Sequence, residues 1–199
     1  MVELRYNNKN MESSKRILIL CSAGSVSVTL VGEILSLLLP DYKVYLFMSR
    51  SAQNFISLET IQQIILPELL PYLEILPFLD MTEDVTIRCI EIIKKAAALL
   101  VIPLSANMLG RIAIGMAEDV MTSLCLLWGN NKPLVLAPAM NFMMYSNPST
   151  DASFKDIEKM YNVTILKSTV TKFASGEKGM GGLAEPSEIA KTINTLLSS

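Results

Sequence analysis

Short, unbroken apolar runs that alternate with stretches of helical spacing leave this chain one main way to fold. Arg16-Ile-Leu-Ile-Leu-Cys21, Lys43-Val-Tyr-Leu-Phe-Met48, Ala98-Leu-Leu-Val-Ile-Pro103, Pro133 to Ala137 and Val163 to Leu166 each read as a strand. Val28 to Leu39, Val85 to Ala97, Met108 to Trp128 and Pro186 to Leu197 carry apolar residues at helical period. A strand that is apolar on both sides must be covered on both faces, the condition of a parallel sheet wrapped by helices. The pattern therefore predicts one α/β domain, with no internal repeat or linker.

The length of 199 residues is enough to bury a real core. Apolar residues make up 51% of the chain, which points either to surface hidden in an oligomer or to an unusually buried sheet. Net charge is −2 and the basic residues are scattered, so no nucleic-acid footprint is expected. Histidine is absent, which excludes serine-hydrolase triads, histidine-ligated zinc and histidine general bases within this chain. Cys21, Cys89 and Cys125 are odd in number and lack metal-ligand spacing, as expected of a reduced, cytoplasmic protein. Residues 1–15 read as a polar leader rather than a secretory signal. The greasiest stretch, Ile61 to Leu79, is broken by Pro67, Pro71 and Pro77 and carries Glu68 and Glu74. That argues against a membrane span and for a short helix followed by an irregular segment suited to an interface.

In an open α/β sheet, ligands collect outside the carboxyl ends of the strands, so the strand exits are where a site is built. Three exits carry small polar turns: Ser22 to Ser27, Ser49 to Ser51 and Ser105 to Asn107. The first opens a helix, where unpaired amides and the helix dipole favour an anion such as phosphate, and Gly24 permits close backbone approach. A fourth exit, Leu134-Val-Leu-Ala-Pro-Ala-Met-Asn-Phe-Met-Met-Tyr145, delivers Asn141, a donor and acceptor without charge. The alternative there is a buried strand followed by an Asn-led turn. Gly110, Ala113, Gly115 and Ala117 recur near helical spacing and suggest a smooth helix stripe, with Asp119 and Thr122 on one face. Lys172 to Gly182 is a glycine-rich loop, either a flap or an ordinary connection.

Together these segments resemble the flavin-dependent cysteine decarboxylase family, which contains phosphopantothenoylcysteine decarboxylases and lantibiotic peptidyl-cysteine decarboxylases. The resemblance runs from about Arg16 to Ile193. Pro138-Ala-Met-Asn-Phe-Met-Met-Tyr145 matches the family's P-x-M-N-x-x-M-[WY] signature. Pro103-Leu-Ser-Ala-Asn107 and Gly115-Met-Ala-Glu-Asp-Val-Met-Thr122 match its flavin-side segments, and Ala174 to Pro186 its substrate flap. The resemblance implies a flavodoxin-like (Rossmann-type) flavoprotein domain over 16–199, assembled as a homo-oligomer, a trimer or a dodecamer built from trimers, with FMN at the subunit interface. It implies phosphate on Gly24, Ser25, Val26 and Ser51, and flavin near Phe55, Ser105, Ala106 and Asn107, with Asp119 and Thr122 contributing from their helix. It also implies a substrate carboxylate on Asn141, in a pocket shaped by Met143. The implied substrate is a cysteine-terminated peptide or a small thiol, and no metal or membrane is involved.

Two positions depart from the family. Its active-site histidine stands eighteen residues before the Asn of the S-A-N turn, a spacing that here lands on Cys89. A thiol has an ordinary pKa of about 8.5 against about 6.5 for imidazole. Cys89 is thus a substitute acid/base, a redox-active thiol or a small apolar filler. Ser175 stands where the coenzyme A branch carries a flap cysteine, and serine does no thiol redox chemistry. The resemblance therefore implies a peptidyl-cysteine decarboxylase that stops at an enethiol. The alternatives are a phosphopantothenoylcysteine decarboxylase and a flavin-binding regulatory or partner subunit with little decarboxylase activity.

Overall fold

The computed structural model describes residues 15–76, 82–173 and 176–198. From the first strand, β1 (Arg16–Ser22), the chain passes through a 3₁₀ turn (Val26–Leu30) into α1 (Val31–Leu38). After β2 (Tyr42–Met48) come α2 (Arg50–Gln53), α3 (Leu58–Ile64), a second 3₁₀ turn (Pro67–Tyr72) and β3 (Leu73–Leu76). The centre of the chain is α4 (Glu83–Lys95), β4 (Ala96–Leu104), α5 (Ala106–Ala113), α6 (Val120–Trp128) and β5 (Leu134–Pro138). It finishes with α7 (Phe142–Tyr145), α8 (Pro148–Met160), β6 (Val163–Ile165), a hairpin of β7 (Thr169–Lys172) and β8 (Lys178–Gly182), and α9 (Pro186–Ser198).

The main sheet runs in the order β3-β2-β1-β4-β5-β6, and every pairing in it is parallel. Without its edge strand β3 the order becomes 2-1-3-4-5, the flavodoxin-like pattern; with β3 it is the Rossmann order. The expected fold class is therefore found. β3 itself falls in the proline-broken stretch expected to be irregular. It is four residues long and mostly half-buried, so its sequence lacks the long apolar signature of the inner strands.

Strand alternation divides the core into two layers. Leu18, Leu20, Val44, Leu46, Leu100 and Val135 pack under α1 and α9, whose Ile34, Leu38, Ile189 and Ile193 are fully buried. Ile19, Cys21, Leu99, Val101, Leu134 and Leu136 face the other way, onto Ile93 of α4, Ile112 of α5 and Leu124 of α6. The two layers hold the strands rigid and leave their carboxyl ends to carry the polar turns.

The leader expectation falls on residues outside those described, except Lys15, whose Nζ donates to the carbonyls of Leu39 and Pro40. No helix among the described residues is long and apolar enough to cross a membrane.

All three thiols are free and buried. Burial raises the Cys21 pKa well above its usual value and pushes that of Cys125 up to about 12, with the nearby Asp119 charge adding to both. A thiol whose pKa is raised by folding contributes stability fully below its unfolded pKa of about 8.5 and loses it as pH rises toward the folded value. The urea midpoint is accordingly expected to fall from about pH 9 upward. Cys125→Ala should flatten that fall while lowering the midpoint at neutral pH; a variant as alkali-sensitive as the parent would overturn the assignment.

Candidate functional site

The sheet order reverses between β1 and β4, the switch point outside whose carboxyl edge an open α/β sheet collects its ligands. The exits are stitched together. Ser22, fully buried, donates its hydroxyl to the carbonyl of Ile102 at 2.7 Å, and Ala23 N–H donates to Pro103 at 3.2 Å. Ser49 N–H donates to the Ser22 carbonyl at 3.0 Å, bringing the β2 exit alongside. A Cβ on Gly24 would lie 2.4 Å from Ser51 Oγ and 2.6 Å from Ser51 Cβ, so only glycine lets the two loops meet.

Within this meeting point the Ser25 hydroxyl accepts from Ser27 N–H, and the Ser49 and Ser51 hydroxyls are 3.0 Å apart. Ser49 also caps α2 by accepting from Ala52 N–H at 3.1 Å. Gly24, Ser25, Val26 and Ser51 thus form one cluster, with hydroxyls beside the opening amides of a helical turn. A dianion fits such a cluster. Phe55, just beyond α2, is about half exposed. Ser49 and Ser22 were not singled out individually from sequence; their serine-rich turns were the only signal.

At the β4 exit Ser105 caps α5 by accepting from Met108 N–H, which places Ala106 and Asn107 in its first turn. The continuous helix expected from Met108 to Trp128 is corrected. α5 stops at Ala113, Gly115 adopts φ +69°, and α6 restarts at Val120. The break explains the small residues: Gly110 and Ala113 belong to α5, whereas Gly115 and Ala117 lie in the corner, so they make no single stripe. A Cβ on Gly110 would meet nothing within 4 Å.

Asp119 and Thr122 are brought together as a reciprocal capping box at the α6 N-terminus. Asp119 Oδ1 accepts from Thr122 N–H at 3.0 Å, and Asp119 N–H donates to Thr122 Oγ1 at 3.2 Å. Arg111 reaches back across the corner to Asp119 at 2.6 Å and to Glu118 at 3.3 Å. Sequence gave no signal for Arg111, because its partner lies beyond a break that periodicity concealed.

Asn141 leaves β5 as the cap of α7. Its Oδ1 accepts from Met143 N–H at 2.9 Å, which fixes the amide and leaves Nδ2 as a donor with no partner among the described residues. Met143 is exposed. The β7–β8 hairpin, read from sequence only as a glycine-rich loop, is tied to the same turn. Met140 N–H donates to the Gly181 carbonyl at 2.9 Å, and the Ser168 hydroxyl donates to Pro138 at 3.3 Å. Ser175 lies outside the described residues.

Cys89 sits on α4 and lines a small apolar cavity of about 20 Å³ with Phe47, Leu76, Val85, Ile92 and Val120. It is almost fully buried, and that burial raises its thiol pKa despite the opposing charge of Arg88. None of its cavity neighbours belongs to the Gly24–Ser51 or Asn141 clusters. No group of residues that could hold a metal ion occurs among the described residues.

Comparisons with known proteins bear on the family and the fold. Phosphopantothenoylcysteine decarboxylase HAL3b of Glycine max is 36% identical over 110 residues, 55% of this chain and 51% of that protein. The match thus spans about half the length of that relative. Among solved structures, a cysteine-to-serine mutant of PPC decarboxylase complexed with pantothenoylaminoethenethiol superposes with a TM-score of 0.81 at 26% identity, covering 94% of this chain and 100% of the other. The FMN binding protein AtHal3 gives a TM-score of 0.75 at 28% identity, covering 92% and 96%. The sequence model of the family described as Flavoprotein matches residues 5–198, nearly the whole length. The chain belongs to the flavoprotein family.

Proposed function

We propose that this flavoprotein binds FMN and decarboxylates a cysteine carboxylate, foremost a C-terminal peptidyl cysteine, to an enethiol. The observation that carries this reading is Asn141. At the carboxyl end of β5, next to the Met140 amide that bonds the hairpin, it holds an amide donor fixed by its own turn and without a partner among the described residues. An uncharged donor suits a carboxylate that must leave, because a full cation would stabilise the charged ground state too strongly.

The Gly24, Ser25, Val26 and Ser51 cluster would hold the cofactor phosphate, with Phe55, Ser105, Ala106 and Asn107 near the flavin. Asp119 and Thr122 contribute by fixing the start of α6, since each already bonds the other. When bound, FMN supplies the two-electron oxidation of the substrate thiol. The substrate loses one hydrogen from sulfur and one from the adjacent carbon, giving a thioaldehyde. The bond to the carboxylate then breaks, carbon dioxide leaves, and the electron pair moves onto the thiocarbonyl to give an enethiolate. An external acceptor such as dioxygen takes up the removed electrons. Asn141 orients the carboxylate through these steps, and Met143 borders the pocket. With serine at position 175, no thiol is available there to reduce the enethiol further.

Exposed apolar side chains on the segments around the site, among them Val26, Phe55, Ile114 and Met143, support assembly as a homotrimer or a dodecamer of trimers. A particle running as a monomer by light scattering would count against it. One specific observation favours a second reading. The thiol at the family's histidine position is buried and held protonated, which suits a flavin-binding subunit whose acid/base group comes from a partner chain.

Mass spectrometry separates the possibilities. Loss of carbon dioxide plus two hydrogens from a cysteine-terminated peptide supports the first reading. Loss of carbon dioxide alone from phosphopantothenoylcysteine indicates the coenzyme A reaction instead. Retained flavin with neither product supports the partner-subunit reading, and a protein unable to bind FMN overturns all of them. Gly24→Ala tests the cofactor cradle directly. Separating the two loops should cost about 1–3 kcal/mol and release FMN, seen as loss of yellow absorbance from a folded protein.

A further inference from the structure

We propose that Phe142 is a positioning residue: its ring seats the outer half of the β7–β8 hairpin over Asn141. The inference rests on Asn141 as the carboxylate holder and adds how the cover above it is held. The hairpin has two distinct attachments. At its base the bonds from Met140 N–H to Gly181 and from Ser168 to Pro138 involve main-chain acceptors. A Cβ on Gly181 would lie 2.2 Å from the Met140 carbonyl oxygen, and Gly181 has φ +133°, so the base meets the Asn141 turn at backbone distance.

Further out, the contact is made by one side chain. A Cβ on Gly179 would lie 2.6 Å from Phe142 Cβ and 2.8 Å from Cγ, so glycine there makes room for this ring. The ring of Phe173, where the chain leaves β7, packs 6.1 Å from the Phe142 centroid at an interplanar angle of 35°. Phe173 N–H donates to Glu177 and receives Gly176 N–H on its carbonyl, so the aromatic contact grips the residue that closes the hairpin. Phe142 therefore touches β8 at Gly179 and the residue that follows β7, and it directly follows Asn141 in the chain. Any shift of the outer hairpin is passed to the amide that holds the substrate. Phe142 itself offers no group to the chemistry; it acts through Asn141 and the hairpin.

The test uses the FMN-loaded full chain with Phe142→Ala and the conservative Phe142→Leu. Hydrogen exchange of the Gly179 and Met180 amides is expected to quicken about tenfold in the alanine variant, in line with the loss of one aromatic pair, and to be largely restored by leucine. Exchange at Thr169 and Gly182, FMN content and the thermal midpoint should stay near parental values. With a cysteine-terminated peptide, KM should rise about tenfold while kcat changes less than threefold. Unchanged exchange at Gly179 and Met180 would overturn the proposal whatever the activity. A parent that turns over no substrate defeats the functional reading alone, since the exchange measurement still decides the role of Phe142.

Discussion

Asn141→Asp is expected to cut the proposed decarboxylation sharply while leaving the flavin and the fold in place. Aspartate caps a helix as well as asparagine does, so the bond from Met143 N–H that fixes this side chain survives the exchange. What disappears is the unpartnered N–H donor, and on the proposed function a carboxylate then faces the substrate carboxylate. Losing one preorganised donor costs about a hundredfold to a thousandfold in rate, and like-charge repulsion adds a penalty on binding. A fall in kcat/KM of about a thousandfold with unchanged FMN content is the expected result. Asn141→Ala should lose activity and also weaken the short α7 turn, so comparing the two separates chemistry from capping. Activity within tenfold of the parent in Asn141→Asp would mean that the substrate carboxylate is held elsewhere.

The contrast between Asn141 and Asp119 shows what a sequence of this kind reveals. The inner strands were legible because burial on both faces demands uninterrupted apolar runs, and Leu18 to Cys21 or Leu99 to Ile102 have no other use. Exit turns were legible for the same reason, since small polar residues abruptly follow those runs. Elements on the periphery were not. The α8 helix has a weak apolar stripe with only Thr150 and Ile157 buried, and β3 is a short edge strand. In the hairpin, β8 is glycine-rich and β7 is only four residues long and partly exposed, so no apolar run marked either. The helix around Asp119 was misread for a different reason. Apolar periodicity runs smoothly through 108–128, and only the left-handed Gly115 and the spacing of Asp119 from Thr122 betray a second helix start. Cys89 was placed by counting from a motif, yet whether its thiol is a base or a filler depends on burial, which spacing does not encode.

Arg111→Ala should be the most destabilising charge removal at this edge of the sheet. Arg111 and Asp119 are 2.6 Å apart, with the guanidinium about 20% exposed and the carboxylate about 10%. Most surface ion pairs contribute little because water screens them, as the exposed Lys155–Asp151 pair illustrates. Here truncating the arginine strands a carboxylate that has only the Thr122 amide and hydroxyl left as partners. Leaving a buried charge unpaired costs about 3–5 kcal/mol, measured as a fall in the urea midpoint at fixed protein concentration. The loss should be strongly non-additive. Asp119→Asn keeps the α6 cap while removing the charge, so the double variant Arg111→Met, Asp119→Asn should recover more than half of it. Equal losses in the single and double variants would show that Arg111 acts through packing of its stem and not through its charge. If the corner between α5 and α6 also fixes Ser105 to Asn107, Arg111→Ala should loosen FMN while leaving the Gly24–Ser51 cluster unaltered. The double variant should then regain flavin together with stability, because both depend on the same neutralised contact.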